Sequence, residues 1–273
     1  MKKKLIATLV AGAVLSTGLI GLTACGGDGH GINKGAEVSE EDWGKAFEAT
    51  VAAESFTISA YMESSYTISG NYEEYGDVDM KVLQTREGTS YYDGSTYGTT
   101  NVKIVATGVP DDEELQKEYK NNEYELENYI VKEGDTYYSA SYSTETEDAK
   151  WSVHVSPYDG GSATSIFTVP YSTEKNGTTA ALSDLYSAFT YNDGVYTATL
   201  WSYSTEYTVS VSVKDGYIVG YSTEYSDEEV EENGNKEGES IKMVYNFSNY
   251  GSTTVSPSDD AKKAIEDYKA SNN

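Results

Sequence analysis

Between Ser55 and Gly251 apolar and polar residues alternate with period two, and this pattern restricts the chain to an architecture of antiparallel strands. In EYTVSVSVKDG, Tyr207, Val209, Val211 and Val213 share one face, while Thr208, Ser210 and Ser212 share the other. In SFTISAYMESSYTI the set Phe56, Ile58, Ala60 and Met62 continues in register through Ser64, Tyr66 and Ile68. VDMKVLQ, NVKIVAT, TYYSASYS, KWSVHVS, VYTATLWS, YIVGYST and IKMVYNFS repeat the alternation. About nine to eleven strands are expected, each with one face in a core.

Turn chemistry agrees. Asp93-Gly94, Glu133-Gly134, Asp193-Gly194 and Asp215-Gly216 each separate two strand-like runs, and glycine supplies the positive φ of a tight hairpin. Consecutive strands are therefore expected to pair. The four prolines, at 110, 157, 170 and 257, all fall near element boundaries. The acidic stretch SDEEVEENGNKEGE, residues 226–239, reads as a long solvated hairpin loop.

Three helices are placed by spacing. Ser39 reads as an N-cap before acids at 40–42, with Trp43, Ala46, Phe47 and Val51 on one stripe. TTAALSDLYSAF, residues 178–189, puts Ala181, Leu182, Leu185, Ala188 and Phe189 on a second stripe. SDDAKKAIEDYK, capped by Ser258, puts Ala261, Ala264, Ile265 and Tyr268 on a third. A fourth helix within 110–127 rests on Leu115 and Tyr119, four residues apart.

The chain begins MKKKLIATLVAGAVLSTGLIGLTAC: three lysines, an apolar run from Leu5 to Leu22, then small residues. That is the layout of a secretory signal. Leu22, Thr23, Ala24 and Cys25 resemble the lipobox of bacterial lipoproteins, with Cys25 the diacylated first residue of the mature chain. Cys25 is the single cysteine, so no internal disulfide can form. Two acyl chains on one residue suffice for stable anchoring, which places the protein on the extracytoplasmic face of the cell membrane. The expected layout is a signal peptide over 1–24, a lipidated cysteine and glycine-rich tether over 25–38, and a single domain over 39–273. Such a tether holds the body roughly 20 Å from the membrane.

Loss of residues 1–24 removes Lys2, Lys3 and Lys4 and no acid, taking the formal net charge from −26 to −29. A body so acidic repels polyanions, which excludes nucleic acid as a partner.

An opening helix, a long antiparallel meander, an internal helix, further strands and the closing run IKMVYNFSNYGSTTVSPSDDA together resemble the LolA/LppX-type half-barrel of envelope lipoprotein and lipid carriers. The resemblance implies an α+β fold, a large curved antiparallel sheet with helices packed on its concave face. It also implies an apolar cavity between them, whose candidate lining is Trp43, Phe47, Leu182, Leu185, Phe189, Met243 and Phe247. Relatives of that kind carry lipids or acylated proteins.

Residues suited to catalysis are sparse. His30 lies in the tether, and His154 alternates onto the polar face with Ser152 and Ser156, so a Ser-His-Asp triad has one histidine to draw on. Thiolate and histidine-cluster zinc sites lack their ligands. Residues 229–240 carry a glycine at the sixth position, as an EF-hand loop does, but Glu229 and Ser240 stand at its first and twelfth. No glycine-rich phosphate loop joins a strand to a helix. No metal or cofactor is expected, and the chain reads as a non-enzymatic binding or carrier protein for an apolar or amphipathic ligand.

A second reading starts from tyrosine, of which there are 26, and from the tetrapeptide YSTE, which recurs at 142, 171, 203 and 221. Tyrosine offers contact area with a polar tip, as recognition surfaces do. Tyr203 and Tyr221, in copies on either side of the Asp215-Gly216 turn, are the candidates for a shared patch that binds glycan or protein.

Overall fold

The computed structural model describes residues 30–157, 164–231 and 233–272. Cys25, the lipobox residues Leu22, Thr23 and Ala24, and the apolar leader lie outside them. Among the described residues no helix is long and apolar enough to cross a membrane.

Among the described residues, eleven strands form one open antiparallel sheet. They are β1 (Phe56–Tyr72), β2 (Gly76–Tyr92), β3 (Thr96–Thr107), β4 (Asn122–Glu133), β5 (Thr136–Ser143), β6 (Ser152–Ser156), β7 (Thr190–Asn192), β8 (Val195–Ser202), β9 (Thr205–Lys214), β10 (Tyr217–Val230) and β11 (Lys236–Ser248). Their spatial order is β6-β5-β4-β3-β2-β1-β11-β10-β9-β8-β7. Two meanders are thus joined along one long-range seam, where β1 pairs with β11 from Thr57↔Ser248 to Ser69↔Lys236. The chain crosses from one sheet edge, β6, to the other, β7, through residues 157–189.

All four expected turns are hairpins. At Asp193-Gly194 both residues have positive φ, 47° and 89°, the twist that matches right-handed strands. The acidic stretch 226–239 differs from expectation: β10 continues to Val230 and β11 starts at Lys236, so the loop shrinks to 231–235. The ladder carries the charges outward, because β11 is still paired with β1 at Tyr66↔Glu239 and Ile68↔Glu237.

Helix α1 (Glu40–Val51) begins as expected, with the Ser39 hydroxyl accepting from Asp42 N–H. Its stripe closes on Thr50 rather than Val51, which is 52% exposed. Thr50 is buried because its hydroxyl donates to the Ala46 carbonyl and accepts from Ile218 N–H. The acidic 110–127 stretch holds a short helix, α2 (Glu113–Glu118), capped by Asp112 and placing Leu115 and Tyr119 inside. Helix α3 (Asp259–Asn272) is capped by Ser258, whose hydroxyl accepts from Ala261 N–H. No α-helix spans 178–189. Ala180 exchanges both backbone hydrogen bonds with Tyr171, which leaves two 3-10 turns, at Leu182–Asp184 and Tyr186–Ala188.

Strand parity separates the faces. Phe56, Ile58 and Ala60 of β1 join the cluster under α1, and Tyr66 and Ile68, at the same parity, join the cluster around Leu115 of α2. This front face therefore carries α1 and α2. Helix α3 lies on the back: Ser258 bonds Glu127, and the Lys269 ammonium sits 4.5 Å above the Tyr138 ring. Glu127 and Tyr138 both alternate away from the front-face residues Tyr124 and Leu126. The helices thus divide between the two faces instead of sharing one.

Residues 30–38, expected as the end of a free tether, are bound to the sheet. His30 stacks on Tyr61 with ring centroids 3.5 Å apart, Asn33 N–H donates to the Asn246 side chain at 2.6 Å, and Ala36 N–H donates to the Val213 carbonyl at 2.8 Å. Tyr61, Asn246 and Ser212, which donates to the Asn33 carbonyl, belong to the back face. The strap then reaches the front, where the Val38 carbonyl accepts from Tyr186 and Tyr196.

Candidate binding groove

The expected lining residues do come together, as packed core. Trp43 and Leu182 are fully buried, Phe47 and Phe247 nearly so, and Leu185, Phe189 and Met243 pack against them half-buried. Trp43 lies within 5.0–5.7 Å, centroid to centroid, of Phe47, Phe189, Tyr196 and Tyr186, and its indole N–H donates to the Leu182 carbonyl. Aromatic rings fill the space under α1. The apolar hollow beneath α2, between Ile68, Met80, Pro110 and Leu115, has a volume of about 20 Å³, enough for a water and too small for an acyl chain.

Tyr203 and Tyr221 do not form a patch. Tyr203 stands in the β8–β9 turn at φ 55° and is 84% exposed, whereas Tyr221 is buried in β10 between Val211 and Tyr245. The YSTE copy at 203 straddles a turn, which is why alternation alone misplaces it. Among the described residues only Tyr91 and Tyr203 are exposed tyrosines, on separate parts of the sheet. His154 is exposed on edge strand β6, and no Asp or Glu among the described residues is buried. No group of three or more metal-ligating side chains occurs among the described residues.

What the front face offers lies between its two apolar clusters. Register places Tyr225, Ile241, Ser64, Gln84 and Ile104 side by side across β10, β11, β1, β2 and β3, and all five are half-buried. The neighbouring row is Thr223, Met243, Met62, Arg86, Val102 and Tyr124. These rows cross the strands between the α1 cluster and the α2 cluster, with Met62, Val102, Thr223 and Tyr124 buried and the others half-buried, and they mark the candidate groove. Ser64, between Ile241 and Gln84, has the smallest side chain of the first row. Met62 and Met243 bring flexible, polarizable side chains suited to irregular apolar partners.

Two polar atoms in the second row are buried and have no hydrogen-bond partner: Thr223 Oγ1 and Arg86 Nε. Native interiors leave few such atoms, and each costs about 1–3 kcal/mol. Burial lowers the pKa of the Arg86 guanidinium from its ordinary value, partly offset by Tyr124 and by Glu145. Burial likewise raises the Tyr124 phenol, and Glu145 adds to that. At the other end of the first row the Tyr225 hydroxyl donates to Glu239 at 2.5 Å. The two rows are therefore mixed: Ile241, Met243, Met62, Val102 and Ile104 are apolar, and Ser64, Gln84 and Arg86 interrupt them.

Sequence reasoning missed Arg86, although a signal was present: it is the single arginine of a strongly acidic chain. Set against known proteins, the chain matches no family model and no curated sequence.

Proposed function

We propose that the chain is a bacterial surface lipoprotein, anchored through a diacylated Cys25 at the extracytoplasmic face of the membrane. Its body acts as a non-enzymatic binding or carrier protein for an apolar or amphipathic ligand held in the front-face groove. The LolA/LppX-like resemblance of the layout supports this reading, as does the open eleven-stranded antiparallel sheet. The observation that carries it is the stretch between the two apolar clusters, where Ile241, Met62 and Val102 belong to neither and lie beside buried polar atoms that lack partners. The absence of buried carboxylates among the described residues favours binding over hydrolysis. The scattering of Tyr91 and Tyr203 disfavours a tyrosine-based recognition patch.

The docked strap alters the anchoring geometry. If His30 is held on Tyr61, the four residues between it and Cys25 span at most about 18 Å even when fully extended, counting five links of ~3.6 Å. The body then sits against the membrane with its back face nearest the anchor and the groove facing outward.

All sheet pairing and both apolar clusters among the described residues fall after His30, so a chain starting at Gly26 retains them. That body is expected to enhance the fluorescence of a hydrophobic probe above a denatured control, and Ser64→Trp, which fills the candidate groove, is expected to abolish the gain. No enhancement, or full enhancement in Ser64→Trp, contradicts the proposal.

A further inference from the structure

Arg86 is the one arginine in a chain that has 45 acidic residues, yet among the described residues it forms no ion pair. Its flanking partners across the ladder are Met62 and Val102, both buried and apolar. The neighbouring acids Glu63 and Glu87 alternate onto the back face, so the sheet itself separates them from the guanidinium, and Glu145, beyond β5, acts on it from outside ion-pair distance. Half-burial of an arginine whose Nε finds no partner is costly, and a guanidinium presents a fork that matches carboxylate and phosphate oxygens. The excess of negative charge around it means that diffuse attraction cannot recruit an anion; recognition has to be local and bidentate.

Thr223 lies three strands away in the same row, at about 14 Å by strand spacing, with Met62 and Met243 between. The row thus reads as guanidinium, two thioethers and a hydroxyl. From this juxtaposition we infer that Arg86 is the head-group subsite for an anionic amphiphile, with a carboxylate or phosphate on Arg86 and a hydrocarbon body over Met62 and Met243 toward Thr223. The inference rests on the proposed ligand-binding groove and specifies the charge of its occupant.

The test is titration of the body starting at Gly26 with dodecanoate, dodecyl phosphate and dodecanol, read by displacement of a hydrophobic probe. At least one of the anions is expected to bind about 10- to 100-fold more tightly than the alcohol, and the tighter of the two identifies the head. Arg86→Gln is expected to erase that preference, read as the ratio of anion affinity to dodecanol affinity in the same variant. Arg86→Lys, which keeps the charge and loses the fork, is expected to retain part of it. Equal binding of all three by the unaltered protein overturns the subsite and leaves the groove standing. Binding of none overturns both. Because the head-group comparison is made first on the unaltered protein, a folding defect in Arg86→Gln does not decide the outcome.

Discussion

The Tyr171 hydroxyl lies 3.0 Å from that of Tyr221, so the tyrosines of two YSTE copies meet inside the protein. The contact ties the crossover segment to β10, and Phe167 of the same segment packs edge-on against Tyr221. Tyr221→Phe leaves a buried Tyr171 hydroxyl without its partner and is expected to cost about 1–3 kcal/mol in denaturant unfolding. Tyr171→Phe combined with Tyr221→Phe removes both polar groups and is expected to cost less than the two single changes added together. Additive losses would mean that the hydroxyls do not interact.

The strap over the back face depends on close backbone approach at Gly35. A Cβ there would lie 2.2 Å from the Val213 carbonyl oxygen, while Gly35 N–H donates to the Gly194 carbonyl at 2.8 Å. Gly35→Ala is expected to release residues 30–38, seen as faster amide exchange at Ala36 and early proteolysis before α1. The strands are expected to keep their protection. Unchanged exchange at Ala36 would show that the strap is not held as described.

In the β10–β11 hairpin like charges face each other: Asp227 opposite Glu239 and Glu229 opposite Glu237. Directly opposed acids destabilise a ladder. Lys236 with Glu228, at 3.1 Å, is the ion pair across this hairpin among the described residues, and both side chains are half-exposed or more. Glu229→Lys is expected to raise stability by about 0.2–1 kcal/mol, with the gain shrinking as salt is added. Destabilisation at low salt would count against the register.

Many tyrosines are buried, and burial raises their pKa from the ordinary value near 10. Tyr221 and Tyr245 are pushed well up, and Tyr97, shielded by burial and beside Glu127, is pushed up to about 12. The native state favours the neutral phenol, so this contribution to stability is complete below about pH 10 and is lost as pH rises through the folded values. An alkaline titration is expected to show tyrosinate absorbance from these groups appearing together with loss of near-ultraviolet circular dichroism. Full ionisation with native dichroism intact near pH 10.5 would contradict the burial.

The alternation of Tyr207 to Val213 and the Asp-Gly turns made the strands and hairpins legible, because both are local signals. The β1–β11 seam was not, since nothing local marks a pairing across most of the chain. The acidic arms of the β10–β11 hairpin read as loop because their charges break the apolar alternation, although Glu239 and Glu237 pair with the buried Tyr66 and Ile68 of β1. Residues 178–189 misled for a different reason: their helical stripe is real, but Ala180 is already bridged to Tyr171. At the groove, the apolar candidates were found and proved to be core, while Arg86 was overlooked because its isolation becomes visible only once the faces are assigned.

Native mass spectrometry of the protein purified without detergent reads out whether the proposed front-face groove holds an amphiphilic ligand. A retained small molecule with an anionic head and a hydrocarbon body is expected, released on denaturation and absent from Ser64→Trp. A bare protein that also fails to take up dodecanoate or dodecyl phosphate would contradict the proposal.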